Sequence, residues 1–260
     1  MDGRSSGRLN FGFSKYAAFH LIVSRWLRLY GESGRKYCYV TLGGTELRDV
    51  SSVGFIDPDL ITSIWSYEKD KNRCTLANNT VTELRQTGLS IAVCEDEFWN
   101  HQRASSLPHI FFADICGVFA WSDYHIQLGK MLQNEVIREG DCLIITSHLG
   151  HNPGFKKIRD DFSGEIDVLG MDGNNSAVVR NLFRRSHPSM TIFRALALNG
   201  IQSELAIRCF GAIKYRDESP MGVYGYAVSA GRTDLSGFVE DSNTSYFDMN
   251  RGRSCAPSEF

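Results

Sequence analysis

Three carboxylates stand where short apolar runs give out: Glu68 after ITSIWSY, Asp96 in Glu95-Asp96-Glu97 after LSIAVC, and Asp114 within HIFFADICGVF. A carboxylate at a strand end can accept hydrogen bonds from a ligand's hydroxyl or amino groups, or take a proton from a reacting group. It can equally cap the helix that follows, where the positive end of the helix dipole favours an acid. Asp114 follows Phe111-Phe112-Ala113, so its ionised form needs a partner or solvent. Ahead of these acids lies Tyr37 to Asp49, YCYVTLGGTELRD, an apolar run that breaks at Gly43-Gly44. Paired glycines there mark either a tight turn or a loop whose backbone comes close to a ligand. His148 and His151 form H-x-x-H after the run CLIIT. An imidazole in that place suits a general base, with His148 the candidate, and no third ligand at a diagnostic spacing argues for a metal.

The elements that must hold these residues follow from periodicity. Lys15 to Tyr30 spaces Ala18, Leu21, Ile22, Trp26 and Leu29 as one face of an amphipathic helix, with Ser14 as N-cap and Gly31 beyond its end. Tyr37 to Leu42, Ile61 to Tyr67, Leu89 to Cys94, His109 to Phe119 and Cys142 to Thr146 read as five strands. Between them, Asn72 to Thr87 places Leu76, Thr80 or Val81, and Leu84 at helical spacing, and Tyr124 to Arg138 does the same with Ile126, Met131, Leu132 and Val136. Strands that are continuously apolar and separated by helices predict a parallel sheet covered on both faces. Two more helices, Asn175 to Phe183 and Met190 to Leu198, precede Glu204 to Tyr215 and Gly222 to Ala230. The six-residue connector between that last pair permits only an antiparallel hairpin.

Composition sets the frame around this reading. A chain of 260 residues, 42% hydrophobic and 22% charged, is long enough for one large α/β domain with a substantial core. No apolar run approaches the ~20 residues of a membrane span. The polar start MDGRSSGRLN has no apolar segment of a secretory signal, and a cytoplasmic location is the expectation. Seven cysteines fall singly with no C-x-x-C pair, as buried hydrophobes do in a reducing compartment. A net charge of -2 gives no global pull towards nucleic acid. Lys156, Lys157, Arg180, Arg184 and Arg185 concentrate positive charge before the hairpin, either as a solvated face or as a contact for an anionic or nucleic-acid partner. The organisation reads as a tail and leading helix over 1–36, one α/β domain over 37–230, and a polar tail over 231–260.

Strand–helix alternation closed by an antiparallel hairpin resembles the class I, Rossmann-like, S-adenosylmethionine-dependent methyltransferases. The resemblance covers about Tyr37 to Ala230 and implies a mostly parallel seven-stranded sheet with a C-terminal antiparallel hairpin and helices on both faces. Nicotinamide-binding Rossmann domains want G-x-G-x-x-G at the first turn, a spacing absent here. The resemblance implies S-adenosylmethionine as cofactor, held by Thr41, Gly43 and Gly44 in the glycine motif, by Glu68 at the ribose and by Asp96 at the adenine. It places Asp114 near the methyl donor and the acceptor. The motif departs from acid-x-Gly-x-Gly, with Thr41 in the acid's place and Thr45 in the second glycine's. The reaction implied is methyl transfer to oxygen or nitrogen of an unidentified acceptor. The alternatives are a non-catalytic cofactor-sensing or scaffolding protein and, on the basic cluster alone, a nucleic-acid methyltransferase.

Overall fold

The computed structural model describes residues 5–42, 44–50, 59–84, 90–115, 119, 123–149, 188–198, 205–216, 219–231 and 245–255. Helix α1 (Ser5–Tyr30) leads into β1 (Tyr37–Leu42), β2 (Ile61–Tyr67), α2 (Lys71–Leu84) and β3 (Ile91–Cys94). A 3-10 turn at Phe98–Asn100 precedes β4 (His109–Ala113), α3 (Tyr124–Gln133) and β5 (Cys142–His148). Then come α4 (Pro188–Leu198), β6 (Leu205–Arg216), β7 (Pro220–Ala230), β8 (Ser245–Asp248) and β9 (Arg253–Ser254).

One nine-stranded sheet runs in the order β3-β2-β1-β4-β5-β7-β6-β8-β9. The first five strands pair in parallel, and β7 is inserted antiparallel between β5 and β6. This is the mostly parallel sheet with a closing hairpin that the resemblance implied. Strands β1 and β4 lie inside its parallel part, and both are buried on both faces, as a doubly covered parallel sheet demands.

Two apolar layers follow from the alternation of side chains along the strands. One packs Val40, Phe111 and Ile145 under Leu128, Met131 and Ile192 of α3 and α4. The other packs Tyr39, Phe112 and Ile144 under Phe19, Ile22 and Trp26 of α1 and under Ala77 and Val81 of α2. The Phe19 ring lies 4.5 Å from that of Phe112, and Trp26 lies 5.0 Å from Tyr37.

Several elements differ from the sequence expectation in phase or extent. Helix α1 begins at Ser5, so Ser14 lies inside it and is no N-cap. Its inward stripe is Ala18, Phe19, Ile22, Val23 and Trp26, while Leu21 is 49% exposed. The stripe is set by the aromatic surface of the sheet, which receives Phe19. In α2 the inward residues are Cys74, Ala77 and Val81, and Leu76 is 55% exposed. Helix α3 stops at Gln133 instead of Arg138, because Glu135 takes a left-handed φ of 53° and Val136 N–H turns back to the Met131 carbonyl at 2.8 Å. The C-terminal segment contributes strands β8 and β9 beyond the seven expected, with Tyr246 and Asp248 buried. The expected helix Asn175 to Phe183 lies outside the described residues.

Candidate functional site

A cavity of about 590 Å³ opens at the carboxyl ends of the parallel strands. That volume lies within the usual range for small-molecule sites, roughly 300–1,000 Å³. Leu42 ends β1 there, Tyr67 and Glu68 end β2, Asp96 and Glu97 follow β3, and Asp123 and Tyr124 bring in the start of α3. In an open parallel sheet this edge is where ligands gather. Phe98, Trp99 and Tyr124 line it with aromatic surface, Trp99 and Tyr124 standing 5.4 Å apart and Tyr124 stacked on Phe119 at 5.0 Å. Glu68, Asp96, Glu97 and Asp123 set four carboxylates against the ammonium of Lys69. Such a lining favours a cationic ligand and disfavours the pyrophosphate of a dinucleotide.

Glu68 and Asp96 are therefore brought together. The capping role that competes with ligand binding at Glu68 is filled by its neighbour, since Asp70 Oδ1 accepts the Arg73 N–H at 3.0 Å. The Glu68 side chain, 11% exposed, accepts the Asp70 N–H at 3.0 Å and has Arg73 at 3.6 Å. Asp96 accepts Glu97 N–H at 2.7 Å and the Asn100 amide at 2.8 Å, both on Oδ1, which holds its carboxyl below the usual carboxylate range. Asp96 thus fixes the 3-10 turn while its other oxygen makes no hydrogen bond to the described residues.

Thr41 faces the opposite side of the sheet. Its hydroxyl donates to Asp49 Oδ2 at 2.6 Å, and the Tyr39 hydroxyl donates to the same oxygen at 2.9 Å. Burial raises the Asp49 carboxyl above its ordinary pKa, against the pull of those two hydroxyls. Asp49, in the helical residues 48–50 that follow the glycines, is buried on that side of the sheet and is not among the residues that line the cavity. A spacing of eight across a tight glycine loop was the sequence signal that could have found Asp49. Gly44 is exposed, with space for a Cβ, and Gly43 lies outside the described residues.

Asp114 follows β4 and is held by two groups. Lys15, from α1, forms an ion pair with it, and the Thr146 hydroxyl donates to its Oδ1 at 2.9 Å. Tyr16 is close enough to Asp49 and Asp114 for both to raise its phenol, which burial takes up to about 12. His148 is the last residue of β5, paired across the sheet with Met221, rather than a residue of the following loop. Thr146 and His148 share one face of β5, two residues apart. Thr41, Asp114 and His148 are not among the described residues that line the cavity. His151 and the basic cluster Lys156, Lys157, Arg180, Arg184 and Arg185 lie outside the described residues.

Behind the cavity wall runs a buried polar row that sequence reasoning missed. Tyr67 Oη lies 2.8 Å from His101 Nδ1, and the His101 ring lies 5.4 Å from that of His109. His109 Nδ1–H donates to the Leu107 carbonyl at 2.8 Å. Asp141 binds Arg103 through both carboxylate oxygens, at 2.6 and 3.2 Å, and accepts the backbone N–H groups of His109 and Arg138. Burial and the Arg103 charge push His101 down to about 4 and His109 to about 3, so both imidazoles are neutral at ordinary pH.

The strand order, with its inserted antiparallel strand, is that of the class I methyltransferase fold. No protein-family model matches the chain, and no curated protein matches it. Among solved structures it is similar to an S-adenosylmethionine-dependent methyltransferase from Clostridium acetobutylicum, at 13% identity, with 84% of this chain and 92% of that chain covered and a TM-score of 0.49. It is also similar to magnesium protoporphyrin IX methyltransferase from Synechocystis with bound SAH, at 8% identity, 88% coverage of each chain and a TM-score of 0.49. An rRNA methylase from Streptococcus thermophilus is similar at 9% identity, with 83% of this chain and 97% of that chain covered and a TM-score of 0.42. Among the described residues no helix is long and apolar enough to cross a membrane.

Proposed function

We propose that this chain binds S-adenosylmethionine in the cavity and directs its methyl group to an oxygen or nitrogen of an acceptor. The observation that carries the reading is the convergence of Leu42, Glu68 and Asp96 from the ends of β1, β2 and β3 on one cavity. The site suits the group: it is large enough, its carboxylates complement a sulfonium and an amine, and Asp96 keeps one oxygen for an amino group. When bound, that ligand supplies an electrophilic methyl on sulfur. Glu68 accepts from the ribose hydroxyls, and Trp99 and Tyr124 pack against the planar base. Asp114, paired with Lys15, orients groups at the end of β4, and His148, at the end of β5, is assigned the acceptor's proton. Positioning and exclusion of water provide most of the acceleration.

The test is a calorimetric titration of S-adenosylmethionine into wild type and Glu68→Ala. Wild type binds, and loss of hydrogen bonds to a charged group weakens Glu68→Ala by about tenfold or more. No binding by wild type at millimolar ligand overturns the reading, and equal binding by both removes only Glu68 from it.

One observation favours a second reading, a non-catalytic cofactor sensor: Lys15 occupies the acid nearest the expected acceptor. Recovery of bound S-adenosylmethionine unchanged after incubation with acceptor-rich extract supports the sensor. Conversion to S-adenosylhomocysteine by wild type, lost in His148→Ala, supports the enzyme.

A further inference from the structure

We propose that His101 is a positioning residue that fixes Tyr67 as the cavity wall beside Glu68, and so sets affinity for the nucleoside end of the ligand. The inference rests on the cavity's being the S-adenosylmethionine site. Nothing in the strand-end pattern points to His101, which lies just past the 3-10 turn and is only 2% exposed. Its ring is enclosed edge-on by Tyr67, Trp65 and Phe111, with centroids 5.6, 6.0 and 5.8 Å away. Its contact with Tyr67 is 2.8 Å, while its Nε2 is buried without a hydrogen-bond partner among the described residues.

Those two facts choose the direction of the hydrogen bond. Burial raises the Tyr67 phenol well above its ordinary range, and His101 is neutral, so two neutral groups share the contact. Were Tyr67 the donor, the imidazole proton would sit on Nε2 as a buried N–H with no acceptor. With Nδ1–H donating to the phenol oxygen, Nε2 keeps only an unfilled lone pair, the cheaper defect. Tyr67 is also the register partner of Cys94 where β2 pairs with β3. Cys94 in turn accepts the Glu68 N–H on its carbonyl at 3.0 Å. A buried imidazole, a wall tyrosine and the acid at the end of β2 are thereby held in one sequence of contacts.

The experiment measures S-adenosylhomocysteine binding calorimetrically for wild type, Tyr67→Phe, His101→Leu, His101→Asn and the Tyr67→Phe/His101→Leu double variant. Loss of one neutral hydrogen bond weakens Tyr67→Phe and His101→Leu each by about tenfold. The double variant is no weaker than either, because one contact is removed twice. Asn presents an amide where Nδ1 stands and restores binding to within about twofold, which a merely structural role for the ring would not produce. Wild-type affinity in His101→Leu, or additive losses in the double variant, overturns the proposal. Failure of wild type to bind overturns the reading of the cavity instead. The His101–Tyr67 contact is then judged in the ligand-free protein by imidazole 15N shifts. They report an Nδ1–H tautomer whose resonance moves in Tyr67→Phe, and an Nε2–H tautomer or an unmoved resonance counts against it.

Discussion

One carboxylate oxygen of Asp49 collects the hydroxyls of Tyr39 and Thr41, and this anchors the loop after β1 to the strand it leaves. Asp49→Ala strands both hydroxyls in a buried layer and costs about 1–3 kcal/mol of stability, read as a lowered urea midpoint. His101 and His109 make a second residue-scale prediction with a definite sign. Their native pKa values, about 4 and 3, lie below the ordinary 6.5, so from pH 6.5 down to about 4 the unfolded chain takes up protons that the native chain refuses. Their stabilising effect is complete above pH 6.5 and is lost on acidification. The melting temperature should fall from pH 7 to pH 5, with a shallower slope in His101→Asn, and an unchanged slope counts against the assignment. Glu68 and Asp96 were legible because a strand end followed by an acid is a local pattern. His101 and Lys15 were not, since each is defined by partners 34 and 99 residues away that only the fold brings near.

At the scale of elements, periodicity located the strands well and the helical faces poorly. A buried strand is apolar throughout, so an error of phase does not alter its reading, whereas a helix one residue out of phase exchanges Leu76 for Ala77. The seat of α1 shows what decides that phase. Gly211 and Gly225 lie on β6 and β7 beneath it, and a Cβ at Gly225 would stand 2.8 Å from Ile22 Cγ2 and nearer still to the Phe210 ring. Arg25 donates to the Phe210 carbonyl at 2.9 Å from the same side. Gly225→Ala should therefore cost about 1–3 kcal/mol through overpacking, and amide exchange should rise across α1 more than across α2. Protection lost equally in both helices would argue against a specific seat for α1.

Across the whole molecule, β8 and β9 cover an edge that the hairpin alone would leave open. Strand β6 pairs with β8 from Gly211 to Lys214, and a chain lacking residues 245–260 presents those backbone groups to solvent. Such a truncation should associate with itself as concentration rises in size-exclusion chromatography with light scattering, and a strictly monomeric product would refute the edge argument. The expectation of a polar tail missed these strands because four residues of mixed polarity carry little periodic signal. The seat of α1 also bears on the order in which the protein is made. Helix α1 rests on β6 and β7, which are made after it, and Arg25 waits for a carbonyl 185 residues further on. Until the hairpin emerges, the Phe19, Ile22 and Trp26 face can rest only on Tyr37, Tyr39 and Phe112 of β1 and β4 and lacks the part of its seat that β6 and β7 supply. The seat of α1 is therefore completed only once β6 and β7 have been made, and its final packing is a late event of folding.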